Sequence, residues 1–194
     1  KGAVAVGYVA DLVVFENLRS FRARMVFKNG KLVARDGEMV VPIRKAKCRI
    51  SESMRIKNIG PSCLELKTSN RKARVIRIVP GQIVTKAEEV AVRPVRGLVS
   101  ADVSRDLLKL AVFERHHASG RIGLGLVRGF GLKRGALAST VCHDSHNLIA
   151  VGTNDADMIS AVRHLVSSGG GFAAVCEGKV EALLPLPIAG LMSN

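Results

Sequence analysis

A short run of polar residues, CHDSHN at positions 142–147, contains the side chains of this sequence best suited to acid–base or metal chemistry. The candidates are His143, Asp144, Ser145, His146 and Asn147. A histidine titrates near neutral pH, and a neighbouring carboxylate can fix its tautomer, so an Asp/His pair beside a hydroxyl suits proton transfer to a polar ligand. Imidazole and carboxylate groups are also common metal ligands.

The apolar stretch 136–141 is typical of a strand and leads directly into this polar run. If the strand continued, alternate side chains would face opposite sides of the sheet, so His143 and His146 would point apart. The two histidines could then bind one ion only across a bend. The remaining histidines, whose spacing does not complete a metal site, are His116, His117 and His164. The residues therefore predict no metal ligand in this chain.

Two interpretations of the polar run stay open. In the first, Asp144 and Asn147 turn the chain through side-chain hydrogen bonds to the backbone. In the second, the end of the strand presents an Asp/His pair and a hydroxyl to a polar ligand. The residues alone identify no catalytic group. A second polar group, His116 and His117 beside Glu114 and Arg115, is typical of a solvated strand end.

The glycine-rich passage 119–135 resembles a phosphate-binding loop only superficially. A dinucleotide fingerprint that begins at Gly123 and Gly125 needs a third glycine at position 128, which is Arg128, and no Gly-Lys-Ser/Thr motif occurs. These glycines indicate instead places where backbones approach closely or where the chain passes a ligand.

The elements that would position these groups differ between the two halves of the chain. In the first half, residues 10–15 predict a buried strand, and residues 24–28 and 31–34 predict a hairpin around Asn29-Gly30, a strong signal for a type I′ turn. After an irregular, charged stretch, residues 74–79 and 82–85 predict a further pair of strands.

In the second half, strand patterns alternate with one helix. Strands are predicted at 107–113, 136–141 and 148–151, and a hairpin at 171–184 around Glu177-Gly178. A helix is predicted to begin after Asn154, with its core stripe at helical spacing. The stripe consists of Met158, Ile159, Val162, Leu165 and Val166.

Composition limits the classes of function. The formal net charge is +14, and residues 1–100 hold 21 of the 30 Lys and Arg. No aromatic residue lies between Phe27 and Phe113, so this basic half lacks the stacking platforms of single-strand binders, and nucleic acid is not expected as a partner. Four cysteines without a C-x-x-C pair predict reduced, mostly buried thiols. No stretch is apolar enough to span a membrane, and no secretory leader pattern opens the chain, so a cytoplasmic protein is expected.

Several long motifs closely resemble the C-terminal region of bacterial-type adenine deaminases. They lie at residues 129–147, 151–157 and 184–193. Two more motifs, residues 6–14 and 26–33, look like the strands by which amidohydrolase-superfamily enzymes return from the catalytic barrel to a small β-sandwich. Together the matches cover most of the chain, and residues 41–70 are the least diagnostic.

The resemblance implies an α+β fold in which residues 1–70 form β-sandwich return strands and a linker, and residues 71–194 form a mixed α/β C-terminal domain truncated at its end. The catalytic TIM barrel would be absent from this chain. The family hydrolyses adenine to hypoxanthine and ammonia with a metal-activated water, and its H-x-H metal ligands belong to the barrel. This sequence has no H-x-H. The resemblance therefore implies manganese or iron in the full-length enzyme, none bound by this chain, and a fragment that is inactive alone.

As partners, the resemblance implies adenine, the missing N-terminal barrel and further copies in a homo-oligomer. The loop of residues 143–147 would approach the active site or the interface with the barrel. The alternatives are a scaffold or oligomerisation domain with no direct catalytic role, and a basic nucleic-acid-binding module.

Overall fold

The computed structural model describes residues 3–42 and 53–193. Contacts divide the chain into two compact units, residues 1–47 and 48–194. Residues 53–70 therefore belong with the larger unit, whereas the sequence motifs predict that residues 1–70 form the return strands and linker. The assignment of the first residues to a β-sandwich stays a prediction.

The smaller unit is a four-stranded antiparallel sheet in the order β1-β2-β3-β4. Its strands are β1 (Leu12–Phe15), β2 (Ala23–Lys28), β3 (Lys31–Arg35) and β4 (Glu38–Met39). Asn29 and Gly30 connect β2 to β3 with φ of 49° and 74°, the positive values that a type I′ turn requires. The predicted hairpin is thus confirmed.

The prediction that residues 10–15 form a buried strand is wrong as to burial. Val13 and Val14 of β1 are 48% and 39% exposed. The reason is that the unit has a single layer, and within residues 3–42 no second layer covers either face of the sheet. An apolar run predicts a strand from its own residues, but burial depends on what packs against it.

In residues 53–193, which the structure describes, the larger unit has ten strands and one α-helix. The strands are β5 (Leu66–Lys67), β6 (Lys72–Ile78), β7 (Thr85–Ala91), β8 (Leu98–Val99), β9 (Leu107–Phe113), β10 (Ile122–Arg128), β11 (Ala136–Ser139), β12 (Leu148–Gly152), β13 (Gly171–Cys176) and β14 (Lys179–Pro185). Eight of them form one sheet in the order β14-β13-β11-β12-β9-β10-β6-β7, and β5 pairs with β8. All neighbours in the large sheet are antiparallel except β10 and β6. The predicted α+β class is confirmed.

The helix α1 (Asp155–Ser167) begins where the sequence predicts. The side chain of Asn154 accepts a hydrogen bond from the backbone N–H of Asp157 at 2.8 Å, which satisfies one of the free donors of the first turn. Four members of the predicted stripe are buried, and the fifth, Val166, is partly buried against the same core. α1 packs on β11, β12 and β13, and each large apolar side chain buried there contributes about 1.5–3 kcal/mol.

The two faces of the large sheet are covered unequally. α1 and the segment 54–64 cover one face, where Phe113, Leu148 and Leu64 are fully buried. On the other face, the side chains of Leu137, Phe172 and Leu184 are 40–56% exposed. Phe172 pairs with Leu184 across β13 and β14, so these two side chains lie on the same side.

The second strand predicted at residues 82–85 is wrong in position, because β7 begins at Thr85 and runs to Ala91. Register explains the difference. Val75 of β6 and Val90 of β7 are buried in the same cluster. The register of β6 and β7 that brings both valines into this cluster also sets Ile78 opposite Thr85, where the pairing begins. Ile83 is left in the connection and is fully exposed.

The glycine-rich passage contains a strand that the sequence did not predict, β10. Gly125 lies in this strand with no atom within 4 Å of where a Cβ would be, so close backbone approach does not explain it. Gly129 does show the predicted close approach, since a Cβ there would lie 3.0 Å from Cβ of Ile78. Gly135 shows it as well, with a Cβ position 2.3 Å from the carbonyl oxygen of Val175.

The carboxylate of Asp157 joins α1 to the turn between β13 and β14. It accepts hydrogen bonds from the backbone N–H groups of Glu177 at 3.1 Å and Gly178 at 2.8 Å, and from the side-chain amide of Asn154. Burial raises the pKa of Asp157, but the hydrogen bonds from these three donors outweigh it and hold the pKa below its ordinary value.

This lowered pKa gives a pH-dependent prediction. Stabilisation by Asp157 is complete above the ordinary aspartate pKa of about 4 and is lost as the pH falls through the folded-state value. We expect Asp157→Asn to lower the free energy of unfolding by about 2 kcal/mol at neutral pH, with a smaller difference from the parent protein below about pH 4. Urea unfolding at both pH values measures this, and a difference that is independent of pH would contradict it.

The three cysteines that the structure describes, Cys63, Cys142 and Cys176, are free thiols and only partly buried. Cys48 lies outside the described residues. Within the described ranges, the structure has no helix of the length and apolarity needed to cross a membrane.

Candidate functional site: the loop between β11 and β12

The polar run forms a tight turn in the hairpin that joins β11 to β12, and it does not continue the strand. Residues 143–145 make the turn, and the N–H of His146 donates to the carbonyl of Cys142 at 2.6 Å. The alternation of faces expected for a continuing strand therefore does not apply. The rings of His143 and His146, expected to point apart, meet edge to face with centroids 5.5 Å apart.

The first interpretation, a turn made by side-chain hydrogen bonds, is correct about the turn but wrong about the residues, Asp144 and Asn147, that make those bonds. The side-chain hydrogen bond to the backbone within the turn comes from Ser145, whose Oγ accepts from the N–H of Asn147 at 3.4 Å. Asp144 instead contacts Nδ1 of His143, its chain neighbour. The peptide bond between these two residues is cis.

The outer side of the turn presents its functional groups to solvent. The side chains of His143 and Asp144 are 83% and 90% exposed, and Ser145 is exposed as well. An imidazole in contact with a carboxylate can hold one tautomer and exchange a proton with a group placed against it. These two residues, with the hydroxyl of Ser145 beside them, are therefore available to a ligand or a neighbouring surface.

The inner side of the turn carries two polar atoms without partners. Nδ1 of His146 and Oδ1 of Asn147 are buried, and neither makes a hydrogen bond to the residues that the structure describes. A buried polar atom without a partner costs about 1–3 kcal/mol, so such atoms occur where something else compensates.

The segment of residues 114–119, which contains the second polar group, packs against this turn. Nε2 of His116 lies 2.9 Å from the carbonyl oxygen of Ser145. The carboxylate of Glu114 accepts hydrogen bonds from the hydroxyl of Ser119 and from three backbone N–H groups, those of Ser119, His116 and His117. The hydrogen bond from the Ser119 hydroxyl is the largest of the causes that lower the pKa of Glu114 to about 2.

The interpretation of residues 114–117 as a solvated strand end is correct for the histidines and wrong for Arg115. His116 and His117 are exposed, whereas Arg115 is only 1% exposed. Its guanidinium donates to the carbonyls of His146, Ser53 and Ala189. Burial lowers the pKa of this guanidinium.

The sequence patterns placed Arg115 at a solvated strand end and did not indicate the role of Thr140, which is also buried. The hydroxyl of Thr140 accepts from the N–H of Gly171 at 2.7 Å and donates to the carbonyl of Gly190, so it connects the start of the loop to β13 and the C-terminal turn. One signal could have identified Arg115. Side chains alternate between the two faces of β9, and Ala111 and Phe113 face the core. If this alternation continues for two more residues, Arg115 lies on the same face.

The described residues offer no group of side chains placed to bind a metal ion. Within residues 3–42 and 53–193, no three side chains of the His, Cys, Asp or Glu type are arranged to hold a metal ion. His143, Asp144 and His146 come close together, but they do not make such a group. The donor set of the described residues therefore does not fit a catalytic metal.

Comparison with known proteins identifies the family of the chain. The adenine deaminase C-terminal domain family matches residues 82–194. Adenine deaminase 2 of Carboxydothermus hydrogenoformans and an adenine deaminase of Halalkalibacterium halodurans are each 48% identical to this chain over its whole length. An adenine deaminase of Dehalococcoides mccartyi is 46% identical over the same length.

The larger unit is thus a C-terminal domain of the kind carried by a family of hydrolases. The chain belongs to the adenine deaminase C-terminal domain family, which confirms the resemblance seen in the sequence motifs. It spans about a third of the length of these curated relatives, 34% of each of the three.

Proposed function

We propose that this chain is the C-terminal part of an adenine deaminase, which hydrolyses adenine to hypoxanthine and ammonia. The observation that supports the proposal is the 44–48% identity to adenine deaminases, which extends over the whole chain. Adenine as substrate, a cytoplasmic location, a role in purine salvage and a homo-oligomeric assembly belong to this proposal.

The catalytic metal, manganese or iron, would be held by the N-terminal part that the longer relatives carry and this chain lacks. The donor set of the described residues does not fit a metal, so no step of the hydrolysis is assigned to a metal in this chain. The bound metal would supply a water deprotonated near neutral pH. The 194-residue chain alone is then expected to be inactive.

The contribution of this chain to the reaction would come from the loop of residues 143–147. Its exposed Asp144 and His143 are paired with each other, and its inner His146 has a buried nitrogen with no partner. These groups can orient a ligand or move a proton, and they lie in a loop at the ends of two inner strands of the large sheet, where functional groups are commonly placed.

A scaffold role without direct catalysis is the second candidate. It is favoured by exposed apolar side chains on β13 and β14, on the side of the sheet away from α1, where Phe172 is 44% and Leu184 56% exposed. Exposed apolar patches of this kind mark surfaces that pack against other protein. In that case the chain would stabilise the rest of the enzyme or an assembly of copies.

The test is release of hypoxanthine and ammonia from adenine by the full-length protein, with manganese supplied. We expect turnover by the full-length protein, none by the 194-residue chain alone, and loss of turnover when a chelator removes the metal. Folded, manganese-loaded full-length protein that leaves adenine unchanged would contradict the proposed substrate. Turnover by the short chain alone would contradict the assignment of the metal to the N-terminal part.

A further inference from the structure

Arg115 is a buried cation that donates to three backbone carbonyls and, at 3.8 Å, to the sulfur of Met54. Its Nε–H donates to His146, and its two terminal nitrogens donate to Ser53 at 2.9 Å and to Ala189 at 3.0 Å. Within residues 3–42 and 53–193, no carboxylate is paired with it. An unpaired buried charge is costly, so a guanidinium in this environment depends on the hydrogen bonds it makes.

The three carbonyls belong to segments that lie far apart in the sequence. They are 31, 62 and 74 residues from Arg115. The guanidinium therefore fixes three irregular pieces of chain relative to β9: the loop of residues 143–147, the backbone at Ser53, and the turn at Ala189. The planar fork of arginine can bond in three directions at once, which a lysine ammonium on a flexible stem does less well.

The surroundings are shaped to fit this side chain. Gly190 has φ of +72°, and a Cβ there would lie 3.0 Å from one guanidinium nitrogen. His116, the residue after Arg115, bonds to the carbonyl of Ser145. Arg115 and His116, which follow β9, thus contact consecutive carbonyls of the loop, those of His146 and Ser145.

We propose that Arg115 is a positioning residue, which sets the geometry of the loop of residues 143–147 for the reaction without touching the substrate. The inference rests on the proposed function of that loop. Arg115 acts through the backbone of His146, the residue whose side chain carries the unpartnered ring nitrogen. A displacement of about 1 Å in groups that position a reaction can cost on the order of 100-fold in rate.

The main test variant is Arg115→Lys in the full-length enzyme, because it retains the positive charge and most of the volume. We expect amide hydrogen exchange in residues 141–148 to become about tenfold faster, as for loss of a hydrogen bond from a charged donor. We also expect kcat/KM for adenine to fall about 10- to 100-fold, mostly in kcat, with a small change in Tm.

The matched control is Arg105→Lys. Arg105 also donates to a backbone carbonyl, that of Ala91 at 2.9 Å, but it bonds to no residue of the loop. We expect this control to leave both loop exchange and kcat/KM unchanged. As a second variant, Arg115→Ala should lose more activity and should recover part of it, together with slower loop exchange, when methylguanidinium is added.

The outcomes separate the inference from the proposed function. Unchanged loop exchange in Arg115→Lys overturns the inference whatever the activity, and faster exchange with unchanged kcat/KM overturns it as well. Failure of methylguanidinium to slow loop exchange in Arg115→Ala counts against it independently. If the full-length enzyme does not hydrolyse adenine, the proposed function fails, and with it the inference.

Discussion

Replacing Gly171 by alanine should destabilise the larger unit by about 4 kcal/mol, among the largest effects expected of a single methyl group. Gly171 opens β13 with φ of +135°, a conformation that residues with a side chain rarely adopt. A Cβ at this position would lie 1.9 Å from the carbonyl oxygen of Leu184 and 3.1 Å from the backbone nitrogen of Leu186. Both contacts are to backbone, so relief requires moving a strand of the sheet.

Gly125→Ala is the matched control for this prediction. Gly125 also lies in the large sheet, but its φ is not in the left-handed region and its Cβ position has no atom within 4 Å. Alanine there should change the free energy of unfolding by less than about 1 kcal/mol, in the stabilising direction, because it restricts the unfolded chain. Urea unfolding of both variants decides the point, and a similar cost at the two positions would refute the steric explanation.

The elements predicted correctly from the sequence are those whose signals are local. Asn29-Gly30 defines a hairpin by backbone preference, and Asn154 with Asp157 defines the start of α1 by a hydrogen bond between residues three apart. The elements that the sequence did not predict depend on distant partners. The sequence of β10 is rich in glycine and does not predict a strand. In the structure it pairs with β9 along seven residues and with β6 in parallel, and this pairing makes it a strand.

The candidate loop shows the same division between local and distant signals. The run of polar residues was predicted to be a site or a turn, and the structure contains the turn, but the side chain that bonds the backbone is Ser145. The contact between His143 and His146 could not be predicted, because it follows from the closure of the β11–β12 hairpin. The burial of Arg115 follows from three carbonyls supplied by segments that the sequence does not mark as neighbours.

The second large effect is expected from substitutions in this loop of the full-length enzyme. Asp144→Asn keeps the shape of a side chain that is 90% exposed, so the change in folding free energy should stay within about 0.5 kcal/mol. His146→Asn introduces asparagine, which like histidine tolerates the positive φ of 49° found at this position. If these groups move a proton or orient the substrate, kcat/KM for adenine should fall about 100-fold in each variant.

His117→Ala is the control for these two variants, since it removes an exposed histidine of the adjoining polar group whose own contact to Glu114 is made by its backbone N–H. We expect its kcat/KM to remain at the parent value.

Ammonia release, Tm and light scattering measured on the same samples distinguish the two candidate functions. A direct role lowers turnover while Tm and assembly stay constant, because an exposed carboxylate contributes little to folding. A scaffold role gives the opposite pattern, in which loop variants alter assembly and each assembled enzyme keeps its turnover, and that pattern would remove residues 143–147 from the reaction.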